Sequence, residues 1–105
     1  MITEFKIFEN KSNLKKYLLL HNNIDKNLYY VLEVSNLIHS SSEDYILTKK
    51  LYKFNKQDNI VLKTSHQYYS VFLSNFDRDV MYQSDDLKKI LDILPTLKDV
   101  DNYNL

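Results

Sequence analysis

The sequence predicts an α+β fold: a small antiparallel sheet of four to five strands with two helices packed on one face. Three observations lead there. Residues 28–38, LYYVLEVSNLI, alternate with the period of two that a strand requires. Ser84 precedes DDLKKILDIL, in which Leu87, Ile90, Leu91 and Leu94 form an i, i+3, i+4, i+7 helical stripe. Between them, short β-rich runs are separated by polar breaks that suit antiparallel neighbours and are too short for parallel crossovers.

Taken in order, TEFKIFE at 3–9 alternates as a short edge strand, with Phe5 and Ile7 opposite Lys6 and Phe8. Ser12 is a good N-cap residue for a helix over 13–21, where Leu14, Tyr17, Leu18 and His21 share one face. Asn22 and Asn23 end it, since asparagine tolerates the left-handed region and the chain has no glycine. The strand at 28–38 follows. Leu28, Tyr30, Leu32, Val34 and Ile38 fall on its apolar face, expected to be core. Tyr29, Val31, Glu33, Ser35 and Leu37 fall on the other, which lies either under a helix or in a partner surface.

Residues 45–54, YILTKKLYKF, fit two patterns. A helix would align Leu47, Leu51 and Phe54; a strand would put Ile46, Thr48, Lys50, Tyr52 and Phe54 on one face. Enrichment in Thr, Tyr, Ile and Phe favours the strand. After the polar loop 55–59, IVLKT at 60–64 and YYSVFLS at 68–74 read as two further strands. Ser84 then caps the helix 84–94, with Asp85 and Asp86 in a first turn whose dipole favours anions, and Pro95 ends it. Residues 96–105 are expected to add a short helical turn or a flexible tail. The whole chain, 1–105, reads as a single domain.

Composition narrows the chemistry. There is no cysteine, which removes disulfides, thiolate metal sites and cysteine nucleophiles. There is no glycine, which removes phosphate loops, dinucleotide fingerprints and nucleophile elbows. No apolar run approaches the ~20 residues of a membrane span, and MITEFKIFE lacks the n-region and h-region of a secretory signal. A cytoplasmic location, in the cell or a host cell, is the expectation. Alanine is absent as well, while Asn, Lys, Ile, Leu and Tyr are abundant. That bias points to an AT-rich gene, as in small viruses, phages, mobile elements and some bacteria.

Net charge is zero, with a mildly basic middle and an acidic end. Residues 41–70 carry five lysines against three acids; residues 71–105 carry four cations against seven aspartates. His21, His39 and His66 have no metal-ligand spacing, and three scattered histidines are more simply structural or exposed. Asp77 and Asp79 around Arg78, with Asp85 and Asp86, are better explained by a paired loop and a helix dipole than by a metal. Glu4-Phe5-Lys6 and Glu9-Asn10-Lys11 carry the E-x-K pattern of some nucleases without its upstream acid, and read as ordinary charges. No metal and no cofactor are therefore assigned, and no catalytic residue.

Two surfaces remain. Tyrosine brings apolar area and a hydroxyl at low entropic cost, so outward tyrosines suit a protein interface. Tyr29, Tyr45, Tyr52, Tyr68 and Tyr69 are the candidates. Lys49, Lys50, Lys53, Lys56 and Lys63 interleave with aromatics and are the candidates for tracking a nucleic acid. The leading expectation is a non-enzymatic protein-binding module, an accessory or inhibitory protein of a virus, phage or mobile element. It would occupy a surface of a larger partner or dimerise. A nucleic-acid-binding domain is the alternative and a small nuclease the third reading.

Overall fold

A meander of hairpins forms the centre of the structure. In the computed structural model, which describes residues 14–65 and 67–104, β1 (Tyr17–His21) pairs with β2 (Leu28–Ile38), and β2 pairs with β3 (Tyr45–Asn55). The far edge of β3 is shared by two short strands. β4 (Ile60–Lys63) pairs with residues 52–55 and β5 (Tyr68–Phe72) with residues 45–49. A 3-10 turn, Leu73–Asn75, and a single helical turn, α1 (Phe76–Asp79), lead to β6 (Val80–Ser84), which returns to the free edge of β1. The long helix α2 (Leu87–Asn104) follows. All strand pairs are antiparallel.

The sheet is rolled, and its connections require this. β5 and β6 lie at opposite edges, with β3, β2 and β1 between them. Four interstrand spacings of a flat sheet amount to about 19 Å. The linking segment 73–79 is helical, and at 1.5–2.0 Å per residue it covers only about 12–15 Å. Rolling brings the two edges within its reach. Register shifts at Ser35 in β2 and at Leu51 in β3 supply the bend, since a bulge bends its strand and increases the twist.

Each face has its own core. On the inner, concave face Leu18, Leu20, Leu32, Ile46, Val71 and Leu73 form one cluster, with Phe76 and Val80 packed against it. Contributions from β5 and from the start of β6 to that one cluster show the roll directly. On the outer face Leu19, Tyr29, Val31 and Phe54 pack against Ile90, Leu94 and Leu97 of α2. Thr48, the buried polar residue of the inner face, donates its hydroxyl to the Tyr69 carbonyl at 2.7 Å. Thr64 donates to the Lys50 carbonyl beside the bulge, where the ladder passes from β4 to β5.

Several expectations hold. The strand at 28–38 has the predicted bounds, and the strands expected at 45–54, 60–64 and 68–74 form with ends shifted by a residue or two. The left-handed conformation expected of Asn22 and Asn23 is taken instead by Asn59, at φ 55° in the β3–β4 turn.

Others are corrected. Residues 17–21 of the expected 13–21 helix are the strand β1, because Leu18, Leu19 and Leu20 are all fully buried. A helix with one covered face buries a stripe, whereas a strand covered on both faces buries a continuous run. Among the described residues the sheet has six strands rather than four or five, β1 and β6 being the two that the sequence did not signal as strands. Of the two helices expected on one face, at 13–21 and 84–94, the first contributes β1 instead and the second, α2, packs on the outer face; the unexpected turn α1 puts Phe76 in the inner core. Asp86 caps α2, accepting from the Lys88 N–H at 3.0 Å, while Ser84 accepts from the Asp86 N–H in a preceding turn. Pro95 sits inside α2, which runs on to Asn104, a longer extension than the short helical turn expected after it. A proline here costs one backbone bond, and buried Leu94 and Leu97 hold the helix on either side. The expected strand 3–9, Ser12 and His66 lie outside the described residues.

Two substitutions test this arrangement. Leu19→Ala and Leu18→Ala are each expected to cost about 2–5 kcal/mol in denaturant unfolding, because both leucines fill cores. A small effect at Leu19 alone would fit the one-faced helix instead. Pro95→Ala is expected to raise stability by about 1–3 kcal/mol by restoring a helix bond, read as a higher melting temperature.

Candidate interaction surface

Helix α2 covers only half of the outer face, and its starting point explains why. Two residues, Asp85 and Asp86, separate it from Ser84, which lies opposite Tyr17 in the β1–β6 ladder. The helix is therefore held beside that end of β1 and runs over Leu19, Tyr29, Val31 and Phe54. The chain before β1 ties down the same corner: the Lys16 N–H donates to the Asp85 carboxylate and the Lys15 N–H to the Gln83 side chain, both at 2.9 Å.

Beyond Glu33 the sheet continues without that cover. The ladder there sets Lys49 opposite Tyr68, Leu47 opposite Ser70 and Tyr45 opposite Phe72, with Ile38 beside Tyr45 on β2. By strand alternation these side chains project to the outer face, while Tyr69 and Val71 project inward. Tyr68 is 63% exposed and Phe72 41%. The Phe72 ring packs on Tyr45 at a centroid distance of 5.6 Å, tilted by 55°. The result is an aromatic row, Tyr45, Tyr68 and Phe72, over a half-buried aliphatic floor of Ile38 and Leu47.

The five candidate tyrosines thus have different fates. Tyr45 and Tyr68 are in the open row. Tyr29 is 2% exposed and belongs to the core under α2, which corrects its assignment to a partner surface. Tyr29 lies on the second face of β2, and of the two alternatives for that face, cover by the helix is the one found here. Tyr52 packs half-buried against the same core, because the bulge at Leu51 sends Tyr52 and Phe54 to the opposite face from Ile46, Thr48 and Lys50. Tyr69 faces inward, packed on Tyr30 at 5.6 Å. Burial, and then the neighbouring Asp79 charge and Tyr30, raise the Tyr69 phenol above its ordinary value of 10.0; burial alone raises that of Tyr29.

The lysines do not share a surface. Lys49 and Lys63 stand opposite Tyr68 and Tyr52 on the outer face, and Lys56 lies 6.0 Å from the Tyr29 ring centroid. Lys50 is on the inner side, its ammonium 4.4 Å from the Tyr30 ring and 5.7 Å from that of Tyr69, at cation–π distance. Lys53 pairs with Tyr30 on that side too. A phosphate backbone following one face meets only part of the set.

The remaining candidates take structural places. His21 stacks on Tyr29 at 4.9 Å, with Nε2 3.1 Å from the Lys26 carbonyl. His39 is exposed, its Nδ1 3.4 Å from the Asp44 carboxylate. Arg78 donates to Asp79 through Nε at 2.8 Å and Nη2 at 3.4 Å. The Asn23 amide, oriented with its oxygen toward the guanidinium, joins that pair to the β1–β2 loop. Among the described residues, no three His, Asp or Glu side chains converge as a metal site would require. No described helix is long and apolar enough to cross a membrane.

Sequence reasoning missed Phe72, Leu47 and Ile38. The alternation Tyr68-Ser70-Phe72 was legible, but which side of the sheet stays open depends on where α2 ends. Comparison of the chain with protein-family models, curated proteins and solved structures gives no match.

The phenols provide a test. The folded chain holds the Tyr29 and Tyr69 protons to higher pH than the unfolded chain does, so their contribution to stability is complete below the unfolded pKa of about 10. It is lost as pH rises through the folded values. Alkaline titration of phenolate absorbance is expected to show a late-ionising class that shrinks in Tyr69→Phe. An unchanged late class would place Tyr69 on the surface.

Proposed function

We propose that the protein is a non-enzymatic protein-binding module, acting as an accessory or inhibitory protein that occupies a surface of a larger partner. The observation that carries this reading is the aromatic row Tyr45, Tyr68 and Phe72 on the part of the outer sheet face that α2 leaves open. Rings held on a rigid ladder offer large apolar area with little conformational entropy left to lose on binding. Lys49 and Ser70 provide a polar border within the same ladder. The AT-rich composition supports an origin in a virus, phage or mobile element, and a small surface-occupying protein suits such a source.

Affinity capture from the native host, with protein and nucleic acid both identified, tests the proposal. Tyr68→Ala and Phe72→Ala are expected to leave stability within about 0.5–1 kcal/mol of the parent, as exposed positions do. They are also expected to lose most of a specifically captured protein, because exposed aromatics concentrate binding energy. Capture unchanged in the double variant would overturn the proposal. Salt-sensitive recovery of nucleic acid, abolished by Lys49→Ala and Lys63→Ala, would replace it with the nucleic-acid reading.

A further inference from the structure

Strand β4 is the most exposed element of the sheet. All four of its residues are exposed, and Ile60, Val61 and Leu62 form a continuous apolar run with Leu62 at 54%. It pairs with β3 on one side, and among the described residues nothing pairs with the other. Natural edges are protected by charge, proline, bulges or cover. The opposite edge, β6, carries such a bulge at Met81. Against pairing, β4 has only Lys63.

The hydrogen-bond pattern fixes what its open side presents. The Thr64 N–H donates to the Leu51 carbonyl at 3.1 Å, so 51 and 64 are a hydrogen-bonded pair in the register that sets Lys53 opposite Leu62. Alternation in an antiparallel ladder then turns the backbone groups of Ile60 and Leu62 toward β3. Those of Val61 and Lys63 point outward. The outward set is symmetric about Leu62.

We propose that β4 pairs edge to edge and antiparallel with β4 of a second copy of this chain, about a two-fold axis through Leu62. In that register Val61 exchanges both backbone bonds with Lys63 of the partner subunit, and Lys63 does so with the partner's Val61. Leu62 meets the partner's Leu62 in the closely spaced non-hydrogen-bonded pair. Each lysine stands opposite a valine, so the one charge on the edge does not face its twin and its methylene stem lies on an apolar neighbour. The symmetric register satisfies every outward group of both strands and closes the edge, so association stops at two. The contact is independent of the aromatic row, whose Tyr68 and Phe72 belong to β5.

Sedimentation equilibrium of the full chain tests the pairing. The interface is short, below about 1,000 Å², so association is expected to depend on concentration. The mass should rise from 12.6 kDa toward twice that value as the protein is concentrated to about 1 mM. Leu62→Glu and Leu62→Lys place like charges at the axis; each alone is expected to stay monomeric, and an equimolar mixture to form a heterodimer. Val61→Pro removes an outward N–H and leaves the β3 ladder bonds in place, and is also expected to be monomeric. Circular dichroism matching the parent confirms that each variant is folded. A monomeric parent at all concentrations, or Glu and Lys variants that associate as the parent does, would overturn the proposal.

Discussion

The structure depends on β1 being buried from both sides. Its three central residues, Leu18, Leu19 and Leu20, have 0–1% exposure, which requires apolar cover on two faces and a hydrogen-bonding neighbour at each edge. β2 and β6 supply the edges. The rolled sheet with its 73–80 crossover supplies the inner cover, and α2 the outer. Each of these features is therefore a consequence of burying a leucine triplet in a five-residue strand. Burying a leucine side chain contributes about 1.5–3 kcal/mol, so the triplet is a large part of the stability of a small domain.

Surface follows from the same constraint. Helix α2 is anchored by a two-residue link beside the end of β1 and spends its apolar stripe on the near half of the outer face. The far half, built from long β3 and its partner β5, extends past the helix. Aromatic residues are exposed there because the cover is finite, and the uncovered row gains its rigidity from the ladder beneath it. The β4 edge has a similar origin. β3 is too long for a single partner, so two short strands divide its edge, and among the described residues no second layer covers β4.

How much of this was legible depended on the kind of signal. Period-two alternation identified β2 with its bounds, and β-branched and aromatic content between polar breaks identified β3, β4 and β5 closely. The LLL run in β1 matched a helical stripe equally well, and only the cover on both faces decides between the two. β6, VMYQS, has no clear alternation and is held by its place beside β1. The bulges left no trace either: neither Ser35 nor Leu51 is a residue that marks one, yet they move Leu37 to the inner core and Tyr52 and Phe54 to the outer. Two residues of the open row, Tyr45 and Tyr68, followed from residue type and strand position. Tyr29 did not, because its burial depends on where α2 lies.

Native-state hydrogen exchange tests the central claim most directly, since it ranks local opening against global unfolding. The account predicts that the hydrogen-bonded amides of β1 and the adjoining half of β2 exchange slowest, only through global unfolding. Those of β4 should exchange far faster, under conditions that keep the chain monomeric. Amides across Tyr17–His21 that exchange as fast as those of β4 would contradict it, because a strand buried on both faces cannot open while the rest of the sheet stays closed.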